Sequence, residues 1–165
     1  MIAITDVHYE ETSARAACVL ANDWSDATPT RTLVERVTPI AAYEPGAFYK
    51  RELPCLLRVL EKAGRVECIV IDGYVWLDRE GTPGLGAHLH EALGRATPVI
   101  GIAKTAFKGS EMALPLTRGE SQKPLFITAA GMSPTTALEL TKRLHGPHRI
   151  PTLLKDVDAL SRQTL

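Results

Sequence analysis

The period of the apolar residues changes twice within the first 71 positions, and that change limits the possible folds more than any other feature of the chain. Residues 2–9 (IAITDVHY) alternate with a period of two, which places Ile2, Ile4, Asp6 and His8 on one face of a strand. Residues 14–21 (ARAACVLA) form a second apolar run, joined to the first by YEETS, a connection of hairpin length. After the turn-rich NDWSDATP, residues 30–38 (TRTLVERVT) supply a third strand, so the chain opens as an antiparallel three-stranded unit. From Gly46 the period lengthens: Phe48, Leu56, Val59, Leu60 and Ala63 recur at helical spacing until Gly64 stops the pattern. Residues 66–71 (VECIVI) then run almost continuously apolar, the pattern of a buried parallel strand reached by a helical crossover.

The alternation continues with a helix over about 84–94, a strand over 97–102 (TPVIGI) and two further strands near 112–117 and 124–129. A helix over about 133–145 and a short last helix opened by Pro151, a residue suited to a first helical turn, complete the chain. Three antiparallel strands leading into parallel βα units predict an α/β fold, a mixed sheet with helices on both faces. The pattern is compatible with a ribonuclease H-like fold, and flavodoxin-like alternatives stay open. At 165 residues the chain suits one domain over 1–165, since domains most often run about 100–150 residues. No stretch approaches the ~20 apolar residues that span a bilayer. The start, MIAITDVHYE, has no basic region before an apolar stretch and no small-residue cleavage site, so a cytoplasmic protein is expected. Cys18, Cys55 and Cys68 are odd in number, widely spaced and set among apolar neighbours, which reads as reduced core thiols.

The chemistry lies in charged residues that interrupt apolar patterns. Asp6 stands on the inward face of its strand between Ile4 and His8, where an unpaired carboxylate costs several kcal/mol. Glu52 lies four residues from both Phe48 and Leu56, inside the apolar stripe of its helix, while Lys50, Arg51 and Arg58 lie outside it. Asp72 ends the most apolar strand, at the edge where open α/β sheets collect ligands. Singly, each has an ordinary explanation: backbone hydrogen bonds for Asp6, a buried arginine partner for Glu52, a turn for Asp72-Gly73. Three inward carboxylates at one sheet edge repel one another unless a cation is present, and such an oxygen-rich set selects Mg²⁺ or Mn²⁺ over zinc.

These residues carry a family resemblance. Residues 43–54 (YEPGAFYKRELP) resemble the YxPGxxxxRExP signature of the endonuclease V family, whose members nick inosine-containing nucleic acid. In the same order stand Asp6-Val7-His8-Tyr9, similar to the family's DVS(F/Y), and Val70-Ile71-Asp72-Gly73, similar to its VDG strand end. Residues 84–89 (GLGAHL) resemble GLAxHLG, residues 100–104 (IGIAK) resemble IGVAK, and Arg149-Ile150-Pro151 through Asp158 resemble the closing RLPxxxRxAD or RLPxxxRxAH segment. The resemblance implies a ribonuclease H-like fold and a divalent-metal site of Asp6, Glu52 and Asp72, filled by Mg²⁺ or its substitute Mn²⁺, with Asp158 at the position of the fourth Asp or His. It implies hydrolysis of the second phosphodiester bond 3′ of inosine in DNA or RNA, leaving 3′-hydroxyl and 5′-phosphate ends, in nucleic-acid repair.

Beside the acids, Lys104 closes its strand at the same sheet edge and places positive charge where a scissile phosphate gathers negative charge; its ordinary reading is a solvated lysine. His88 reads either as a hydrogen-bonded core histidine or, by family position, as an active-site residue. Tyr43, Pro45 and Gly46 correspond to the family's wedge, which separates strands while the altered base enters a pocket. Here Ala42 replaces the wedge's leading Pro, Glu44 adds a negative charge at its tip, and Gly73-Tyr74-Val75 departs from the usual glycine-rich sequence. Members also typically carry several dozen further residues, including a helical segment ahead of the first strand. A redirected or inactive member that binds altered nucleic acid without cutting it is therefore the alternative expectation. Nineteen basic against nineteen acidic residues supply no bulk field for a polyanion, so local charge must bind it. The pool includes Lys50, Arg51, Arg58, Lys104, Lys108, Arg118, Lys123, Lys142, Arg143, His148, Arg149 and Lys155.

Overall fold

The first hairpin sets the frame for everything that follows. In the computed structural model, which describes residues 1–163, β1 (Ile2–Tyr9) and β2 (Ala14–Ala21) pair antiparallel along their whole length, from Ile2 opposite Ala21 to Tyr9 opposite Ala14. β3 (Arg31–Val37) adds antiparallel to the outer side of β2. The helical period beginning at residue 46 becomes α1 (Tyr49–Ala63), which carries the chain over the sheet so that β4 (Cys68–Asp72) returns parallel to β1. α2 (Leu85–Ala92) repeats the move and places β5 (Val99–Ala103) parallel to β4.

The last two strands turn back instead. Between β5 and β7 (Leu125–Ala130) the chain has a single 3₁₀ turn at Ser110–Met112 and the short β6 (Leu114–Leu116). With no α-helical crossover to reverse direction, β7 pairs antiparallel with β5, and β6 antiparallel with β7. The seven strands therefore run in the order β3-β2-β1-β4-β5-β7-β6, a mixed sheet.

Both faces of the sheet are buried, which is why β4 and β5 read as continuous apolar runs. On one face Ala3, Ile69, Ile71 and Val99 pack against Cys55, Leu56, Val59 and Leu60 of α1 and Ala87 and Leu89 of α2. On the other, Ile2, Ile4, Val70, Ile100 and Ile127 meet Ala137 of α3 (Pro134–Lys142) and Leu153, Leu154 and Val157 of α4 (Thr152–Arg162). The three cysteines are buried free thiols in these cores, as expected. Among the described residues no helix is long and apolar enough to cross a membrane.

Two arginines fix the segments that will matter for the site. Arg15, buried on β2, donates from Nε and Nη2 to the carbonyls of Ser161 and Arg162 at 3.0 Å each and pairs with Glu10 at 3.1 Å, so its charge sits at the negative end of α4. Arg118 donates to the carbonyls of Leu144, Gly146, His148 and Arg149, tying down the loop before α4.

The loop after Asp72 lies flat on β5 because position 101 has no side chain. A Cβ there would stand 2.5 Å from the Gly73 carbonyl oxygen, 2.8 Å from Thr128 Oγ1 and 3.0 Å from the Val75 nitrogen. The Val75 N–H also donates to Thr128 Oγ1 at 2.8 Å, so the neighbours cannot move independently. Gly101→Ala is expected to cost about 1–3 kcal/mol by overpacking. In a melting experiment this appears as a Tm lower by roughly 2–10 °C; an unchanged Tm contradicts the packing.

Candidate active site

Parallel pairing puts the carboxyl ends of β1 and β4 side by side. Ile4 is level with Val70, so two residues further along each strand Asp6 comes level with Asp72, the last residue of β4. Asp6 shares the face of Ile4, beneath α4, and there it meets Asp158, with which it forms a hydrogen bond. Glu52 arrives from the opposite side, in the first turn of α1, where the helix dipole favours an acid. Because the acids meet at the sheet edge, groups from both faces reach the same space. Asp6, Glu52, Asp72 and Asp158 line one cleft of about 630 Å³, together with Lys104, Arg162, His8, Tyr9 and Phe48.

This concentration of acids governs the cleft's electrostatics. Burial, then the charge of Asp72, then the hydrogen bond with Asp158 push Asp6 up to about 7, against the pull of the Val7 N–H that donates to its Oδ1 at 2.9 Å. Burial, with Asp72 and Asp6 behind it, pushes Glu52 up to about 8. Burial also works upward on Asp158, but Arg162, whose Nε donates to Asp158 Oδ1 at 3.0 Å, and the hydrogen bond with Asp6 outweigh it and hold the group below the ordinary range. The two members of the pair are thus pushed in opposite directions, Asp6 up and Asp158 down. Burial and then Glu52 raise the Tyr9 phenol, whose ring carries the Arg51 guanidinium 4.4 Å above it. Lys104 Nζ lies 3.6 Å from Asp72 Oδ2.

The four acids share a cleft without closing into a ready ligand set: among the described residues no three His, Cys, Asp or Glu side chains are gathered tightly enough to hold an ion as they stand. The donor chemistry nevertheless fits a hard divalent cation. Every acidic group offers only oxygen, and two are held protonated by burial and mutual repulsion, which a positive charge among them relieves.

A second hollow, of about 310 Å³, opens beside the first. Gly46, Phe48, Tyr74, Leu77, Gly84 and Leu85 line it, and it shares Glu52 and Asp72 with the acidic cleft. Of these, only Gly46 was expected from the sequence. Gly84 is the local signal for the rest, since a Cβ there would stand 2.7 Å from the Tyr74 carbonyl.

A family model described as Endonuclease V matches residues 1–131. The chain belongs to the endonuclease V family. Its fold is that of solved endonuclease V structures. Human ENDOV is 22% identical with a TM-score of 0.78, covering 98% of this chain and 82% of that one. A Ciona intestinalis endonuclease V D234N variant, solved with DNA containing an inosine followed by a ribo-adenosine, is 20% identical with a TM-score of 0.81 over 98% of this chain and 83% of that one. Endonuclease V of Streptomyces avermitilis is 23% identical, with a TM-score of 0.72 over 98% and 79%. A search of curated proteins finds no match.

Against the family expectations, the structure brings Asp6, Glu52, Asp72, Lys104 and Asp158 into one cleft. Tyr43 stands out in solvent, 61% exposed, and Pro45 is exposed beside it on the loop that Gly46 turns with a φ of 78°. His88 lies outside both clefts; its ring stacks on Tyr49 with centroids 3.6 Å apart, and burial lowers its pKa. The basic pool is smaller than the sequence suggested. Arg118 and Arg149 bond main-chain carbonyls, Arg143 pairs with Asp23, Lys142 with Glu139 and Lys50 with Glu44.

Glu52, with an ordinary value of 4.5, holds a proton in the folded state that the unfolded chain releases as pH rises past that value. Folded protein binds more protons between about 4.5 and 8, so this group makes stability fall as pH rises through that window. In buffer containing EDTA, Glu52→Gln is expected to melt higher than the wild type at pH 8, with the difference shrinking toward pH 5. An equal difference at both pH values contradicts the assignment.

Proposed function

We propose that this protein is a cytoplasmic, divalent-metal-dependent endonuclease that hydrolyses the second phosphodiester bond 3′ of inosine in DNA or RNA, acting as one catalytic domain over 1–165. The observation that carries the reading is the sharing of Glu52 and Asp72 between the two clefts: a base seated in the hollow brings its own strand's phosphates to the acids. The retained acids and lysine argue against an inactive member. Buried unpaired thiols at Cys18, Cys55 and Cys68 suit a reducing compartment.

Asp6, Glu52 and Asp72 would hold Mg²⁺, or Mn²⁺ in its place. When bound, such an ion polarises a phosphoryl oxygen and makes a water acidic enough to attack. The chain's own groups do the rest. Lys104 offers positive charge at the acidic edge, toward a phosphate that gathers negative charge in the transition state. Asp6 would give up its proton as it takes the ion, and Arg162 holds the Asp158 carboxylate in place. Phe48, Tyr74, Leu77 and Leu85 give the hollow dry walls suited to an unstacked base. Tyr43, exposed on its loop, would stack where that base left the helix, and extruding a base costs a few kcal/mol that stacking offsets.

Oligonucleotides with a single inosine, as DNA and as RNA, test the reading at low salt with Mg²⁺. The expected product is one nick 3′ of inosine with a 5′-phosphate, absent from adenine controls. Asp6→Ala and Asp72→Ala should each lower the rate at least about 100-fold, the scale of losing a principal transition-state contact. No inosine-dependent nick, or full activity in Asp72→Ala, contradicts it.

A further inference from the structure

Lys104 follows β5 directly, and its backbone is gripped from two sides. Arg149 donates from Nη2 to the Lys104 carbonyl and to that of Pro124 at 3.1 Å, and from Nε to that of Lys123 at 3.0 Å. One side chain thereby joins the end of β5 to the approach to β7, and Arg118 holds Arg149's own carbonyl and the loop around it. On the other side the Tyr74 hydroxyl donates to the Thr105 carbonyl at 2.8 Å.

Tyr74 is only 8% exposed, and its backbone is held on both sides. The Gly73 N–H donates to the Ile102 carbonyl at 3.1 Å, the Val75 N–H to Thr128 Oγ1, and the Gly86 N–H to Tyr74's own carbonyl at 3.2 Å. Phe107 packs edge-on against the Tyr74 ring at 4.8 Å, and the turn carrying Phe107 is closed by Ser110 Oγ, which accepts from the Phe107 N–H and donates to its carbonyl. Tyr74 also lines the hollow beside Glu52 and Asp72. One residue thus borders the space for the base and reaches the segment bearing Lys104 with its hydroxyl.

We propose that Tyr74 is a positioning residue that links the base in the hollow to Lys104: a base packed against its ring holds the hydroxyl on the Thr105 carbonyl and so keeps Lys104 at the acidic edge. Arg149 grips the Lys104 carbonyl without lining the hollow, so its hold does not depend on the base. The proposal rests on the hollow being the base pocket, and the experiment separates the two.

Single-turnover cleavage in Mg²⁺ is measured on an inosine oligonucleotide and on an identical strand with a tetrahydrofuran abasic site, alongside affinity for each in Ca²⁺ by fluorescence anisotropy. Tyr74→Phe keeps the ring and deletes the hydroxyl. Its rate on inosine should fall about fivefold, the effect of one neutral hydrogen bond. Its rate on the abasic strand should fall by a smaller factor, so that the inosine-to-abasic ratio of rates narrows. Arg149→Lys keeps the charge but loses the fork, and should slow both strands by the same factor. If Tyr74→Phe does not fold, Phe107→Leu, which loosens the ring that pins Tyr74, should narrow the same ratio. Equal slowing of both strands by Tyr74→Phe, or no slowing, overturns the proposal, as does an Arg149→Lys protein with both rates intact. A wild type that cuts inosine and abasic strands equally fast overturns the base-pocket reading beneath it instead.

Discussion

Two half-buried carboxylic acids, Asp6 and Glu52, are set beside two more, and the fold is arranged around keeping them there. Burial alone disfavours their charge, and each sits close enough to Asp72 to be pushed further. What makes the arrangement possible is the parallel pairing of β1 with β4, which brings Asp6 and Asp72 level at one edge. α1 then delivers Glu52 from one face and α4 delivers Asp158 from the other. The two helices never pack on the same side of the sheet, so the cleft is the place where both layers end.

Positive charge is placed around this cleft with a division of labour that net charge alone conceals. Lys104 and Arg162 face the acids directly. Arg15, Arg118 and Arg149 turn instead to main-chain carbonyls and fix the segments that bear Asp158 and Lys104. A guanidinium's planar fork suits that task, because it satisfies several carbonyls with one side chain. The equality of basic and acidic residues therefore does not describe the field that a nucleic acid meets.

Much of this was readable in the sequence. The order of the strands and helices followed from the switch between period two and helical period, and Asp6, Glu52 and Asp72 stood out as charges inside apolar patterns. Asp158 came from resemblance alone, since an acid on a surface helix looks ordinary, and Lys104 had only its place at a strand end on the acids' edge, where a solvated lysine is the ordinary reading. The antiparallel turn of β7 was not visible, because alternation shows a strand but not its direction. Most of the hollow's lining was not visible: Phe48 read as part of a helix's apolar stripe, and only the crossing of α1, the loop after Asp72 and the start of α2 brings it together with Tyr74, Leu77 and Leu85. His88 shows the converse. Its family position suggested the active site, whereas its ring lies flat on Tyr49 outside both clefts.

The central proposal is that Asp6, Glu52 and Asp72 hold a cation, and that the protons of Asp6 and Glu52 must leave for the ion to enter. Titrating Mn²⁺ into the protein by calorimetry at pH 7, in two buffers of different ionisation enthalpy, measures binding and proton release together. The groups near 7 and 8 predict release of at least one proton per ion bound, and Glu52→Gln should release fewer and bind more weakly. Binding with no proton release, or binding that Asp6→Asn and Glu52→Gln leave unchanged, would contradict the account.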